Sequence, residues 1–231
     1  MAETYTETAL HFDVERLPGL LERFFPPGPL ALADLGCGDG PLFAALGRGG
    51  FVSAQRPVYA VDLEADRLAR VSARFPWITT IVSSAESVPE IPDSALDAVC
   101  STMVLEHVPD ERAYLGEIRR LLRPGGRAYV TTVFKRRWAW YFRKRGRESV
   151  LDTSHLREYT VVGDVLQLAR SADLNVLAVE RRQLWFPLLD PVLFRVGGRA
   201  QLSDRRRLLR VLRAVRVPVP GYYALELVLQ R

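Results

Sequence analysis

Along this 231-residue chain, short apolar runs of β type trade places with helical stripes from residue 30 onward. Leu30–Leu35, Val58–Val61, Ile78–Val82, Ala95–Cys100 and Arg127–Phe134 are bounded by Gly, Pro, Asp or Ser, which predicts strands. Between them, Pro41–Leu46, Glu64–Phe75 and Asp110–Leu122 predict helices; in the second, Leu68, Val71 and Phe75 share one stripe. Pro124-Gly125-Gly126 predicts the stop after the third. Upstream, an amphipathic stretch from Leu10 to Phe25 predicts a helix ended by Pro26-Pro27-Gly28-Pro29. Downstream, Thr160–Ala172 predicts a helix, and Leu174–Arg181 and Tyr222–Gln230 predict strands. Asp204–Arg216 predicts a helix with Leu208, Val211, Leu212 and Val215 on one face and arginines on the other. Strands alternating with helices imply a parallel sheet covered on both faces, with ligands at the carboxyl ends of the strands.

The chemistry concentrates where the first strand breaks. Ala31-Leu32-Ala33-Asp34-Leu35-Gly36-Cys37-Gly38-Asp39-Gly40 is an apolar run that ends in an acid and three alternating glycines. Such a turn can take φ > 0 and let a ligand approach the backbone. Asp62 closes the next apolar run 22 positions after Gly40, a spacing that suits hydrogen bonds to ribose hydroxyls. A dinucleotide-binding oxidoreductase would place its third glycine one position later.

These segments resemble the core of the class I S-adenosylmethionine-dependent methyltransferases, and most closely the subgroup that includes the ubiquinone/menaquinone-biosynthesis methyltransferases. Ser83-Ser84-Ala85-Glu86, Ser101–Val108 and Leu121–Gly126 match further family segments in family order, so the likeness covers roughly residues 30–134. It implies an α/β, Rossmann-like, seven-stranded, mostly parallel sheet with helices on both faces and the last strand antiparallel beside the fifth. It also implies S-adenosyl-L-methionine as cofactor. Asp34, Gly36, Cys37, Gly38 and Gly40 would form the cofactor turn, Asp62 would hold the ribose, and Leu63 would pack on the adenine. The family's usual aspartate after the third strand is replaced by Ser84, which leaves adenine recognition to Ser84, Ala85 or Glu86. Met103 and Leu105 would line the methionine and methyl end. No metal is needed to create the electrophile, and none is expected.

An oxygen nucleophile would benefit from a general base. Of the three histidines, His107 follows the fourth strand and His155 lies in the polar string Asp152–Thr160, while His11 reads as a lid or surface residue. His107 and His155 are the catalytic candidates, and Trp138, Arg157 and Tyr159 the substrate-binding ones. A structural hydrogen bond for His107 and a helix-capping loop around His155 with Thr160 as N-cap are the competing readings.

Composition adds one contrast. Residues 1–134 carry 12 Lys/Arg and 18 Asp/Glu, net −6, whereas residues 135–231 carry 20 and 9, net +11. Lys135–Arg147 alone holds seven cations and four aromatics. It reads as a clamp on phosphate or carboxylate groups, a seat on an anionic membrane, an RNA-stacking surface, or an aromatic-anchored lid with solvated charges. The two cysteines, Cys37 and Cys100, form neither a disulfide framework nor a zinc cluster. No run reaches the ~20 apolar residues of a membrane span, and the N-terminus lacks the pattern of a signal peptide. The expectation is one cytoplasmic methyltransferase domain over 1–231, with substrate-side insertions at about 135–159 and 184–220. Its acceptor is a small molecule, anionic in character, methylated on oxygen: a sugar, or a phosphate-bearing or lipid-linked metabolite. Peripheral membrane contact through 135–147 belongs to this expectation and nucleic acid is disfavoured. An RNA methyltransferase and a non-catalytic cofactor-binding protein are the alternatives.

Overall fold

The computed structural model describes residues 16–188 and 215–231. The chain runs α1 (Gly19–Phe24), β1 (Leu32–Leu35), α2 (Pro41–Arg48), β2 (Val58–Asp62), α3 (Ala65–Arg74), β3 (Thr79–Val82), β4 (Leu96–Thr102) and α4 (Glu111–Leu121). It continues through β5 (Leu122–Lys135), β6 (Lys144–Arg145), β7 (Glu148–Ser149), α5 (Val162–Ser171), β8 (Asn175–Pro187) and β9 (Arg216–Gln230). The main sheet has seven strands in the order β3-β2-β1-β4-β5-β9-β8. β1 to β5 are mutually parallel, and β9 inserts antiparallel between β5 and β8. The order reverses between β1 and β4, where an open sheet leaves a crevice at its carboxyl edge.

Period-2 alternation divides the apolar residues between two cores. Leu32, Val58, Ala60, Ala98, Cys100 and Tyr129 face α1, α2 and α3 through Leu20, Leu21, Phe43, Leu46, Leu68 and Val71. Ala33, Leu35, Val61, Val99, Ala128 and Val130 face α4 and α5 through Tyr114, Leu115, Ile118, Val165 and Ala169. A third, smaller cluster, Val133, Tyr141, Leu151, Val219 and Tyr222, lies at the far end of β5 with Met103 packed against it. It supports the segment that follows β5.

The differences from expectation are local. β5 begins at Leu122, ahead of Pro124-Gly125-Gly126, because its register with β4 jumps from Leu96↔Leu122 to Ala98↔Arg127 and expels the break as a bulge. α5 has Val161, not Thr160, at its N-cap, without a side-chain cap. By contrast Asp110 caps α4 by accepting from the amides of Arg112 (2.9 Å) and Ala113 (3.0 Å). β8 reaches Pro187 and β9 starts at Arg216, paired with each other, so both ends of the 184–220 segment belong to a hairpin stem. Of the helix expected over Leu10–Phe25, Gly19–Phe24 forms α1, while residues 10–15, with His11, and most of the helix expected over Asp204–Arg216 lie outside the described residues. Among the described residues no helix is long and apolar enough to cross a membrane.

Candidate active site

The turn after β1 is built mainly from backbone. Gly36, Gly38 and Gly40 all have positive φ (67°, 56° and 70°), a sequence of left-handed residues that bends the chain straight into α2. The amides of Gly36 and Cys37 both donate to the carbonyl of Val61, at 2.8 and 3.0 Å, which fastens the turn to β2. Space also forbids a side chain: a Cβ on Gly36 would lie 2.4 Å from Val104 Cγ2. Asp62 completes the cradle. Its Oδ2 accepts from the Gly38 amide at 2.8 Å and its Oδ1 from the Glu64 amide at 3.0 Å, so the carboxylate is fixed beside the turn. Leu63, next in the chain, is 70 % exposed and offers an apolar face to a ligand.

Asp34 lies beneath this turn, 1 % exposed, with Oδ1 buried and without a partner. Burial first, and the Asp62 charge second, push its carboxyl up to about 8. A buried acid held neutral in this way gains charge when a cation arrives beside it. Cys37 is buried too, and burial followed by Asp34 and Asp62 pushes its thiol far above the ordinary range, so it packs rather than reacts. Arg67 of α3, also buried, approaches Gly38 from below, a neighbour that sequence reasoning missed.

Beyond β3 the expected adenine-side residues are partly committed. Ser84 Oγ donates to Glu86 Oε2 at 3.1 Å, and Glu86 Oε1 accepts from the Asp110 amide at 2.6 Å. Glu86 therefore ties this loop to the start of α4, and Ala85 is nearly buried beside it. After β4, Met103 holds φ 59°, unusual for a residue with a side chain, and its amide donates to the carbonyl (3.0 Å) and Oγ1 (3.1 Å) of Thr131. Leu105 turns the other way: it is 1 % exposed within the α4–α5 core, which removes it from the surface of the crevice.

At the ends of β4 and β5 the two expected catalytic histidines meet, although 48 residues separate them. The rings of His107 and His155 stand edge to face at 4.8 Å. His155 Nδ1 lies 2.8 Å from Glu158 Oε1. Glu158 in turn faces Lys135 Nζ at 3.2 Å, accepts from the Leu151 amide at 2.7 Å and accepts from Tyr222 at 3.3 Å. Burial raises the Glu158 carboxyl, but His155, the Leu151 amide and Lys135 together hold it below the ordinary range. Beside the pair sits Glu106, fully buried, with Oε2 accepting from Thr132 Oγ1 at 2.8 Å. Burial pushes the Glu106 carboxyl up to about 7, and burial followed by His155 lowers His107. Glu106, Thr132, Lys135 and Glu158 were not legible as site residues.

The expected substrate residues divide. Trp138 is 67 % exposed on the segment after β5. Arg157 and Tyr159 depart from expectation. The Arg157 guanidinium donates to the carbonyls of Leu105, Val108 and Pro109, and the buried Tyr159 donates its hydroxyl to Glu111. Both border a shallow groove of about 430 Å³ between α4 and α5, lined also by Arg112, Asp164 and Gln167. Arg157 thus holds the loop after β4, and Tyr159 the first residue of α4.

Comparison with known proteins bears on the stretch that carries the first half of this site. Residues 33–130 match the family model of a methyltransferase domain. An uncharacterised methyltransferase of Mycobacterium tuberculosis is 35 % identical over 129 residues, 53 % of this chain and 58 % of the relative. A ubiquinone biosynthesis O-methyltransferase of Photorhabdus laumondii is 30 % identical over 118 residues, 51 % of this chain and 49 % of the relative. The chain thus spans about half the length of the curated relatives it matches. In structure, an S-adenosylmethionine dependent methyltransferase from Mesorhizobium loti superposes with a TM-score of 0.59 at 22 % identity, covering 92 % of this chain and 96 % of that one. At that identity the likeness is one of fold. The family match ends before Lys135, so the segment carrying Trp138, His155 and Glu158 lies beyond it.

Proposed function

We propose that this chain, which carries a class I S-adenosylmethionine-dependent methyltransferase domain, uses it to methylate an oxygen of a small-molecule acceptor. When bound, S-adenosylmethionine supplies a methyl group on a cationic sulfur, which departs as the acceptor's lone pair displaces it. The residues present fit that ligand. The turn at Gly36–Gly40 presents bare left-handed backbone on which a ligand can lie, and the unpartnered Asp34 oxygen suits a cationic group. The observation that carries the reading is Asp62, fixed by the Gly38 and Glu64 amides beside a turn of left-handed glycines. From there its carboxylate holds ribose hydroxyls, Leu63 packs against the adenine, and Met103 borders the methyl end.

The acceptor edge supplies what methyl transfer to oxygen requires: groups that orient a hydroxyl and lower its hold on its proton. His107 and His155, set in place by Glu158, Glu106 and Thr132, are those groups. Over this edge the 135–159 segment forms the acceptor's cover, with the whole chain acting as one domain. Its outer face points to a lipid-linked acceptor at an anionic surface. Trp138, Trp140 and Trp185 are each more than half exposed, and Arg136 and Arg137 precede them in the chain. The Trp140 amide donates to Pro220 and Trp185 pairs with Pro218, which brings the two segments side by side. Aromatics ringed by arginines suit the interface of an anionic bilayer.

The test is transfer of a labelled methyl group from S-adenosylmethionine into a metabolite extract. Label recovered as an O-methyl ether in the organic phase supports the proposal; label in RNA, or none despite bound cofactor, sinks it. Vesicles rich in anionic lipid should retain the protein, and the Trp138→Ala/Trp140→Ala variant should bind them at least about tenfold less well.

A further inference from the structure

Three donor side chains converge at the acceptor edge, each already held by a partner of its own. Glu106 and His107 follow β4, and His155 arrives from the segment beyond β7. One ligand atom from each lies within 4.8 Å of the other two. Glu106 gives Oε2 to Thr132, while its Oε1 is buried and unpartnered. His155 has Nδ1 on Glu158, which leaves Nε2 for another partner. The His107 ring stands edge to face against that of His155. Two imidazoles and one carboxylate, with His155 oriented from behind by a carboxylate and Glu106 by a hydroxyl, form the donor set of a divalent transition-metal site with open positions.

We propose that Glu106, His107 and His155 bind one divalent transition-metal ion, of which Zn²⁺ matches the donors best. Mg²⁺ and Ca²⁺ prefer shells made of oxygen, which this set is not. Metal–ligand bonds of ~2.1 Å place tetrahedral donors roughly 3.4 Å apart. The widest pair, at 4.8 Å, must therefore close by about 1.4 Å, within reach of a carboxylate rotation and of the half-buried His107 ring. The ion also gives a counter-charge to a carboxylate that the fold buries beside two imidazole rings.

The role of the ion rests on the methyl-transfer reading above. An acceptor hydroxyl occupies an open position, its proton leaves to water, and its oxygen lone pair forms the new bond to the methyl carbon. The carbon–sulfur pair returns to sulfur, leaving a neutral thioether. No local spacing marks this site, because its donors come from separate segments that only the fold brings together.

The experiment uses the purified full chain, stripped with a chelator and titrated with Co²⁺ by visible absorption, then with Zn²⁺ in competition. The expected result is one ion per chain, with the absorption of four- or five-coordinate Co²⁺ and displacement by Zn²⁺. His155→Ala should weaken binding at least about a hundredfold, and Glu158→Gln, which removes an orienting partner, about tenfold. Far-UV circular dichroism identifies any variant that fails to fold. No saturable Co²⁺ binding by folded native protein, or unchanged binding by folded His155→Ala, would overturn the site. Calorimetry with S-adenosylmethionine on the same stripped protein separates the two readings. Cofactor binding without metal binding refutes the metal site alone, and metal binding without cofactor binding refutes the proposed function alone.

Discussion

At the ends of β1 and β2 the chain shapes its crevice with backbone: three left-handed glycines, amides donating to one carbonyl, and a strand-end aspartate that two further amides hold. At the ends of β4 and β5 it uses buried side chains instead, a charged and polar network from Glu106 through His155 and Glu158 to Lys135 and Tyr222. The first region is local in sequence and depends on φ and on space. The second draws on residues up to 116 positions apart, from Glu106 to Tyr222, and depends on buried polar groups that only tertiary structure brings together. One fold thus joins a turn built from backbone to an edge built from side chains.

That contrast can be broken most severely at Gly36. Gly36→Ala places a methyl group against Val104 at a positive φ, and should weaken S-adenosylmethionine binding about a hundredfold or more while costing ~2 kcal/mol of stability. Calorimetry and thermal denaturation check both, and native affinity in this variant would mean that the tight turn serves folding alone. Asp62→Ala loses two amide partners and the ribose ligand, so affinity should fall about tenfold to a hundredfold.

Glu158→Gln sharpens the comparison from the other side. It should slow turnover about tenfold, and leave S-adenosylmethionine affinity within about twofold of native, because the network it disturbs does not reach the glycine turn. A matching loss of cofactor affinity would show that the two regions are not separable.

The smallest effect concerns Asp34. With its carboxyl held up at about 8 by burial and by Asp62, the folded state carries a cost that is absent below the ordinary carboxylate range. The cost grows as pH rises from about 4 to about 8 and is full above that. Asp34→Asn removes it, so its melting temperature should match the native protein near pH 4 and exceed it by a few degrees at pH 8. A gain that is the same at both pH values would count against this explanation.

What the sequence disclosed follows the same division. The five parallel strands, the glycine turn and Asp62 were legible because period-2 runs and short spacings encode them locally. β9, placed by family resemblance, also lies where expected, antiparallel beside β5. Local pattern could not say that Leu105 faces the core, that Arg157 holds the loop after β4, or that Tyr159 bonds the start of α4. Those outcomes depend on which way a loop turns once α4 and α5 have packed. Glu106 and Glu158 look like ordinary surface acids in the sequence, and only the approach of β5, β9 and the 144–159 segment buries them. His107 and His155 were found as candidates by their chemistry, but their contact is a product of tertiary structure.

The most direct test of the cradle is titration of the folded native chain with S-adenosylmethionine by calorimetry, with NAD as the control. Micromolar binding of S-adenosylmethionine and none of NAD is the expected result. Binding of NAD alone, or of neither ligand by well-folded protein, would contradict the assignment of the glycine turn and Asp62.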